Sequence, residues 1–204
     1  MSTLLSVVSS PRGDYSVSRE LTAKFVEEWK KAHAGGTVVT RDLFKTELPF
    51  VDLPWIAGAY TPAEQHTPEM TKALAVGNEL IAELQKADHI VIGTSMYNFA
   101  IPAILKAYID HIVRVNVTFT PSYEGLVKGK KVTVIIASAG VYTPGAPSHS
   151  YDAETGYLKQ ILGFIGMTDV TFVMAGGTSG IDMGKVKRED LIASFTPEVE
   201  AAAK

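Results

Sequence analysis

The chain has 204 residues, 46% of them apolar and 20% charged, and 19 Lys plus Arg against 22 Asp plus Glu leave a formal charge of −3. Such a chain is long enough to bury a core of its own and too weakly charged to offer a footprint for phosphate backbones or anionic lipid, so neither nucleic acid nor a membrane surface is an expected partner. The absence of Cys excludes disulfides, thiolate nucleophiles, iron–sulfur clusters and Cys-based zinc sites.

The length fits a single domain over residues 1–204. The opening MSTLLSVVSSPRG has no basic n-region, and no later apolar run approaches the roughly 20 residues a bilayer needs, so a cytoplasmic location is expected.

Leu4, Leu5, Val7 and Val8 form a short apolar run suited to a strand buried on both faces. Leu21, Phe25, Val26 and Trp29 then fall at helical spacing between Ser18 and His33, with Gly35-Gly36 as the stop. Residues 37–44 start β-branched and turn polar, as an edge strand does. Residues 45–67 read as irregular, with Pro49, Pro54 and Pro62 among Phe50, Trp55 and Tyr60; a loop of this length points to an interface or a substrate lid, with plain loop packing of the three aromatics as the alternative. Thr67-Pro68-Glu69 opens a helix that runs to Lys86, followed by a strand from His89 to Ser95. Pro102 opens another helix, with Leu105, Tyr108, Ile109 and Ile112 on one face. A strand over 130–137, a helix over 157–165 and a strand over 170–175 complete the alternation, and Glu198 to Lys204 read as a helical end or a loose tail. Alternating strands and helices imply a parallel sheet covered on both faces. The 45–67 segment and the apolar side of the helix after Pro102 offer more hydrophobic surface than a lone domain needs, which points to a homodimer.

In such a sheet, ligands bind at the carboxyl ends of the strands. The first turn, Ser9 to Ser18, sets serines and a glycine before a helix N-terminus, where amides and the helix dipole favour a phosphate; the same serines also suit helix capping. Neither G-x-G-x-x-G nor G-x-x-x-x-G-K-[ST] is present, so one terminal phosphate fits better than a dinucleotide. The third strand ends in Met96-Tyr97-Asn98-Phe99, which either lays amides and aromatics along a flat heterocycle or merely covers the next helix. The fourth ends in Ala137-Ser138-Ala139-Gly140, small enough for close backbone approach. His33, His66, His89, His111 and His149 lack metal-ligand spacing and read as surface or helix residues, so no metal is expected, and without a G-x-S-x-G elbow a hydrolase is disfavoured.

The segments YSVS at 15–18, MYNF at 96–99, GLVKGKK at 125–131 and GFIGMTDV at 163–170 resemble the FMN-dependent NADH azoreductase family, nearly from end to end. The resemblance implies a flavodoxin-like, doubly wound α/β fold with a five-stranded parallel sheet in the order 2-1-3-4-5. It also implies bound FMN, NADH or NADPH as co-substrate, quinones and aromatic azo compounds as acceptors, and a homodimer with flavin sites at its interface. Carried over by residue, it assigns the phosphate to Ser10, Ser16 and Ser18, with Val17 keeping only a backbone contact where the family often has glutamine. The ring falls to Met96, Tyr97, Asn98 and Phe99 unchanged. The usual S-R-G-G becomes Ala137-Ser138-Ala139-Gly140, which leaves backbone contacts there. The tyrosine segment after V-T-F is shortened to Thr120 through Gly125. No side chain is expected to be catalytic, because the flavin carries the chemistry and two substrates would take turns in a ping-pong cycle. Phe119, Tyr123, Tyr142 and Phe164 are the expected acceptor pocket, with core packing the alternative for Phe119 and Phe164. An electron carrier of the flavodoxin type and a flavin-free scaffold are the rival readings.

Overall fold

In the computed structural model, which describes residues 2–204, five strands form one sheet. They are β1 (Thr3–Val8), β2 (Thr37–Asp42), β3 (His89–Ser95), β4 (Lys131–Ala137) and β5 (Asp169–Ala175), all parallel in the order β2-β1-β3-β4-β5. The chain leaves β1 once toward β2 and later returns on its other side with β3, so the strand order reverses there and opens a crevice at the carboxyl ends. Register sets its floor: Val8 lies opposite Gly93, and Ser95 opposite Ala137.

Side-chain alternation along the strands divides the core into two layers. Val91, Ile135 and Val173 pack under α1 (Val17–Ala32), through Leu21, Phe25 and Trp29, together with Ile192 and Val199 near the chain end. Ile90, Ile92, Val134 and Ile136 point the other way, against the helices that follow β2, β3 and β4. Gly93 is required where α1 crosses β3, because a Cβ there would stand 2.2 Å from the Thr22 hydroxyl.

The segment expected to be irregular contains a helix, α2 (Leu53–Tyr60), which corrects that reading. Asp52 caps it by accepting from the Trp55 N–H, and Pro54 lies in its first turn, where a missing N–H is harmless. Two turns of nearly all-apolar sequence carry no amphipathic period, which hid it. The buried Trp55 indole donates to His111 Nδ1 at 3.1 Å, and the opposite nitrogen of that ring meets the Pro49 carbonyl at 2.8 Å. His111 is thus a satisfied core group. His89 departs from the surface-or-helix reading, since it is buried in β3 beside Thr133.

Next come α3 (Pro68–Lys86), capped by Thr67, and α4 (Ala103–Ile112). The apolar residues Leu105, Tyr108, Ile109 and Ile112 of α4 are all buried inside the chain. α5 (Glu154–Phe164) begins three residues before the expected Tyr157, α6 (Ser179–Asp182) is one turn, and α7 (Arg188–Ala202) absorbs most of the expected tail into a helix. None of the described helices is long and apolar enough to cross a membrane.

Candidate functional site

Between β1 and α1 the chain makes one tight turn at Gly13–Tyr15, with Gly13 at φ +52°. Two arginines hold its carbonyls. Arg19 Nε donates to the Ser10 carbonyl at 2.8 Å, while its two terminal nitrogens pair with Asp42 at 2.8 Å each. Arg188, from the start of α7, donates to the carbonyls of Tyr15 at 2.9 Å, Ser16 at 3.2 Å and Asp14 at 3.3 Å, and to Glu20. With the carbonyls drawn outward, the amides of Val17 and Ser18, first in α1, have no acceptor among the described residues. Such amides at a helix N-terminus form an anion site. Arg19 already neutralises Asp42, whose carboxyl its hydrogen bonds hold below the usual range, while Arg12 stands at the rim, paired with Asp182 at 3.5 Å.

The serines fill the capping role the sequence left open, and they tie the turn together. Ser16 Oγ accepts from the Arg19 N–H at 3.2 Å as the cap of α1, and it also meets Ser18 Oγ at 3.1 Å. Ser18 reaches on to Ser95 Oγ at 3.2 Å, linking this turn to the end of β3. Ser10 Oγ accepts from the Arg12 N–H at 3.4 Å.

After β3 the chain folds back on itself at once. Tyr97 and Ala100 exchange backbone hydrogen bonds of 2.9 and 3.1 Å, and the two residues between, Asn98 at φ +50° and Phe99 at φ +71°, are both left-handed. This is the geometry of a two-residue hairpin that favours Asn-Gly. Asn tolerates it, whereas Phe in that region costs on the order of 1–3 kcal/mol. The strain displays the Asn98 and Phe99 amides outward and leaves Tyr97 and Phe99 about half exposed, at 41% and 47%. The turn is docked from below: the Ala153 N–H donates to the Phe99 carbonyl at 3.0 Å, and the Tyr151 ring stacks on Phe99 at 5.3 Å.

In the turn after β4, the carbonyls of Ser138, Ala139 and Gly140 accept from the amides of Thr178, Ser179 and Gly177 at 3.0–3.3 Å, while Ser138 Oγ turns inward to the Gly140 carbonyl. The Ala139 and Gly140 amides have no acceptor among the described residues. Arg12, Ser16, Val17, Met96, Tyr97, Asn98, Ala137 and Ala139 line one cleft of about 260 Å³, so the three expected turns converge.

The four expected acceptor-pocket aromatics separate into two groups. Phe119, Phe164 and Tyr123 form one cluster, with centroids 4.8 and 6.2 Å apart, whereas Tyr142 stands edge-on to Phe99 at 6.3 Å. No ring contact joins the groups among the described residues. Phe119 and Tyr123 instead line a cavity of about 360 Å³ with Tyr60 and Asn116. The sequence reading missed Arg188, Tyr151 and the Gly177–Ser179 amides. All of them reach the site from distant positions, so no local spacing marks them.

A crevice at the switch point with free amides and no dinucleotide glycines defines a class, the flavodoxin-like mononucleotide folds. The chain belongs to the flavodoxin-like fold family, whose model matches residues 2–196, and within it to the FMN-dependent NADH:quinone oxidoreductases. It is 49% identical over 203 residues to a protein of Burkholderia lata named FMN-dependent NADH:quinone oxidoreductase 8, covering 100% of this chain and 97% of that one. A Jannaschia protein named FMN-dependent NADH:quinone oxidoreductase 2 is also 49% identical, with both chains covered in full. Among solved structures, an azoreductase from Bacillus anthracis superposes with a TM-score of 0.87 at 32% identity, covering 100% of this chain and 99% of its own. An FMN-dependent NADH-azoreductase from the same organism, solved in complex with FMN, superposes with a TM-score of 0.86 at 27% identity, covering 98% and 97%.

Proposed function

We propose that this protein is an FMN-dependent oxidoreductase that takes electrons from NADH and delivers them to quinones and aromatic azo compounds. The observation that carries the reading is the convergence of three strand-end turns, each with unpaired amides, on one cleft. FMN fits it: one phosphate suits the Val17 and Ser18 amides, and a flat ring suits a strained turn that holds its amides and two half-exposed aromatics at the cleft. When bound, FMN supplies hydride acceptance and electron release, chemistry that no side chain here performs.

The chain's own residues bind, orient and shield. The α1 dipole, the Val17 and Ser18 amides and the hydroxyls of Ser10, Ser16 and Ser18 hold the phosphate, with Arg12 adding charge at the rim. Met96, Tyr97, Asn98 and Phe99 set the plane of the ring, and the outward Asn98 amide and side chain serve its polar edge. Ala139 and Gly140 contribute amides, as the small residues of 137–140 anticipate, while Ala137 and Ser138 shape the wall. Tyr142, edge-on to Phe99 at 6.3 Å, would border the open side of the ring; if that side takes one planar substrate at a time, donor and acceptor alternate in ping-pong fashion.

The Phe119, Tyr123 and Phe164 cluster completes the acceptor pocket from a second copy. Phe50, Leu53, Ile56 and Tyr60 make an exposed apolar patch along α2, and Tyr60 continues into the cavity of Phe119 and Tyr123. Their continuity supports a homodimer that joins both features. A single domain over 1–204 agrees with one sheet shared by both helix layers, and an enzyme fed by NADH belongs in the cytoplasm. NADPH is the alternative donor. The test is the absorption spectrum of the protein after incubation with FMN and gel filtration, followed by steady-state NADH oxidation with a small quinone. A flavin spectrum with turnover supports the reading, and a colourless protein refutes it.

A further inference from the structure

Glu154, first residue of α5, is the only carboxyl side chain that is completely buried among the described residues, at 0% exposure. Among the described residues neither of its oxygens has a hydrogen bond of good geometry, and the buried Thr94 hydroxyl of β3, which bears on it as a polar neighbour, has none either. The other group bearing on it is Asp152, a second acid, which caps α5 by accepting from the Glu154 and Thr155 amides at 2.9 and 3.1 Å. No cation faces it. An ionised carboxylate in such a place is very costly, so the group stays neutral instead. Burial foremost pushes its carboxyl up to about 8; Thr94 opposes that, and Asp152 adds to it.

Its place in the chain gives this acid leverage. Thr94 immediately precedes Ser95, whose hydroxyl meets Ser18 of the phosphate turn. Ala153, immediately before Glu154, supplies the amide that holds the Phe99 carbonyl. The carboxyl therefore sits between the end of β3 and the anchor of the strained 97–100 turn. A charge formed there is relieved only by moving the first turn of α5 toward water, and the Ala153 amide moves with it.

We propose that Glu154 is a positioning residue for the cofactor turn: as a neutral acid packed against Thr94 it keeps α5, β3 and the Tyr97–Ala100 turn together, and its ionisation loosens the turn. The inference rests on reading that turn as the flavin cradle, and it makes FMN affinity fall in alkali.

The test is FMN fluorescence titration of the full chain across pH 7 to 9. If only the neutral acid holds the turn in place, the apparent dissociation constant rises about tenfold one unit above the titration midpoint. Glu154→Gln, which keeps the neutral shape, should stay flat over the same range. Thr94→Val should move the alkaline loss to higher pH, because the hydroxyl favours the charged form, and it serves should the Gln variant fail to fold. The infrared carbonyl band of a protonated acid should be present in the parent at neutral pH and absent from Glu154→Gln. An alkaline loss equal in parent and Glu154→Gln, a parent indifferent to pH, or no acid band overturns the role of Glu154. A parent that binds no FMN at pH 7 overturns the cofactor reading itself, and this inference with it.

Discussion

Asn98 and Phe99 show how a local strain declares a use. MYNF was legible as a turn at the end of a strand, but its left-handed pair was not, since Phe gives no warning of a positive φ in sequence. Asn98→Ala should slow reduction by NADH by about 10², the usual loss of one donor aimed at developing charge, with FMN still bound. Stopped-flow mixing with NADH checks this, and a parental rate would make the turn a shape-defining cradle only. Phe99→Gly should raise thermal stability, because relief of the left-handed Phe is worth about 1 kcal/mol or more, while weakening the affinity for planar acceptors. At the opposite end of the sheet, His89 bears on stability. Burial foremost, with the Lys131 and His33 charges, pushes its imidazole down to about 4. The folded protein keeps it neutral, whereas the unfolded chain binds the proton near pH 6.5, so stability present above 6.5 is lost as pH falls toward about 4. Melting temperatures between pH 7 and 4.5 should fall accordingly, and NMR should find the His89 ring without a midpoint near 6.5.

At the scale of elements, the turn between β1 and α1 is a joint between three of them. Ser16 caps α1, Ser18 reaches β3 through Ser95, and Arg188 ties the turn to α7. Ser16→Ala with Ser18→Ala should weaken FMN binding in fluorescence titration and also lower stability by about 1 kcal/mol through the lost cap. Unchanged FMN affinity in that variant would remove the serines from the site. Elements with a strong period or a proline start, such as α1, α3 and the five strands, were legible from sequence. α2 was not, because it is short and apolar all round. The start of α5 was masked by Gly156 in its first turn, although Asp152 two residues upstream carries the capping bonds and could have marked it.

At the scale of the molecule, what stayed hidden is what depends on distant chain meeting in space. The sequence marked Phe119, Tyr123, Tyr142 and Phe164 as aromatic but not that they part into two groups, and it marked 45–67 as interface-like without distinguishing buried Trp55 from Phe50, Leu53 and Tyr60, which are 79%, 76% and 74% exposed. If those residues meet a second copy, Phe50→Glu with Leu53→Glu should convert a dimer to a monomer in sedimentation at micromolar concentration and cut quinone reduction. A parent that sediments as a monomer would leave the acceptor pocket without its second wall. Electrons that enter from nicotinamide must leave to a small molecule at the same site if the protein is a reductase rather than a carrier. Anaerobic stopped-flow of the FMN-loaded protein tests this most directly: NADH alone should bleach the visible flavin absorbance, and a quinone added afterwards should restore it in a separate step. A protein that binds FMN but keeps its spectrum unchanged in NADH would be an electron carrier, which contradicts hydride entry from nicotinamide at this cleft.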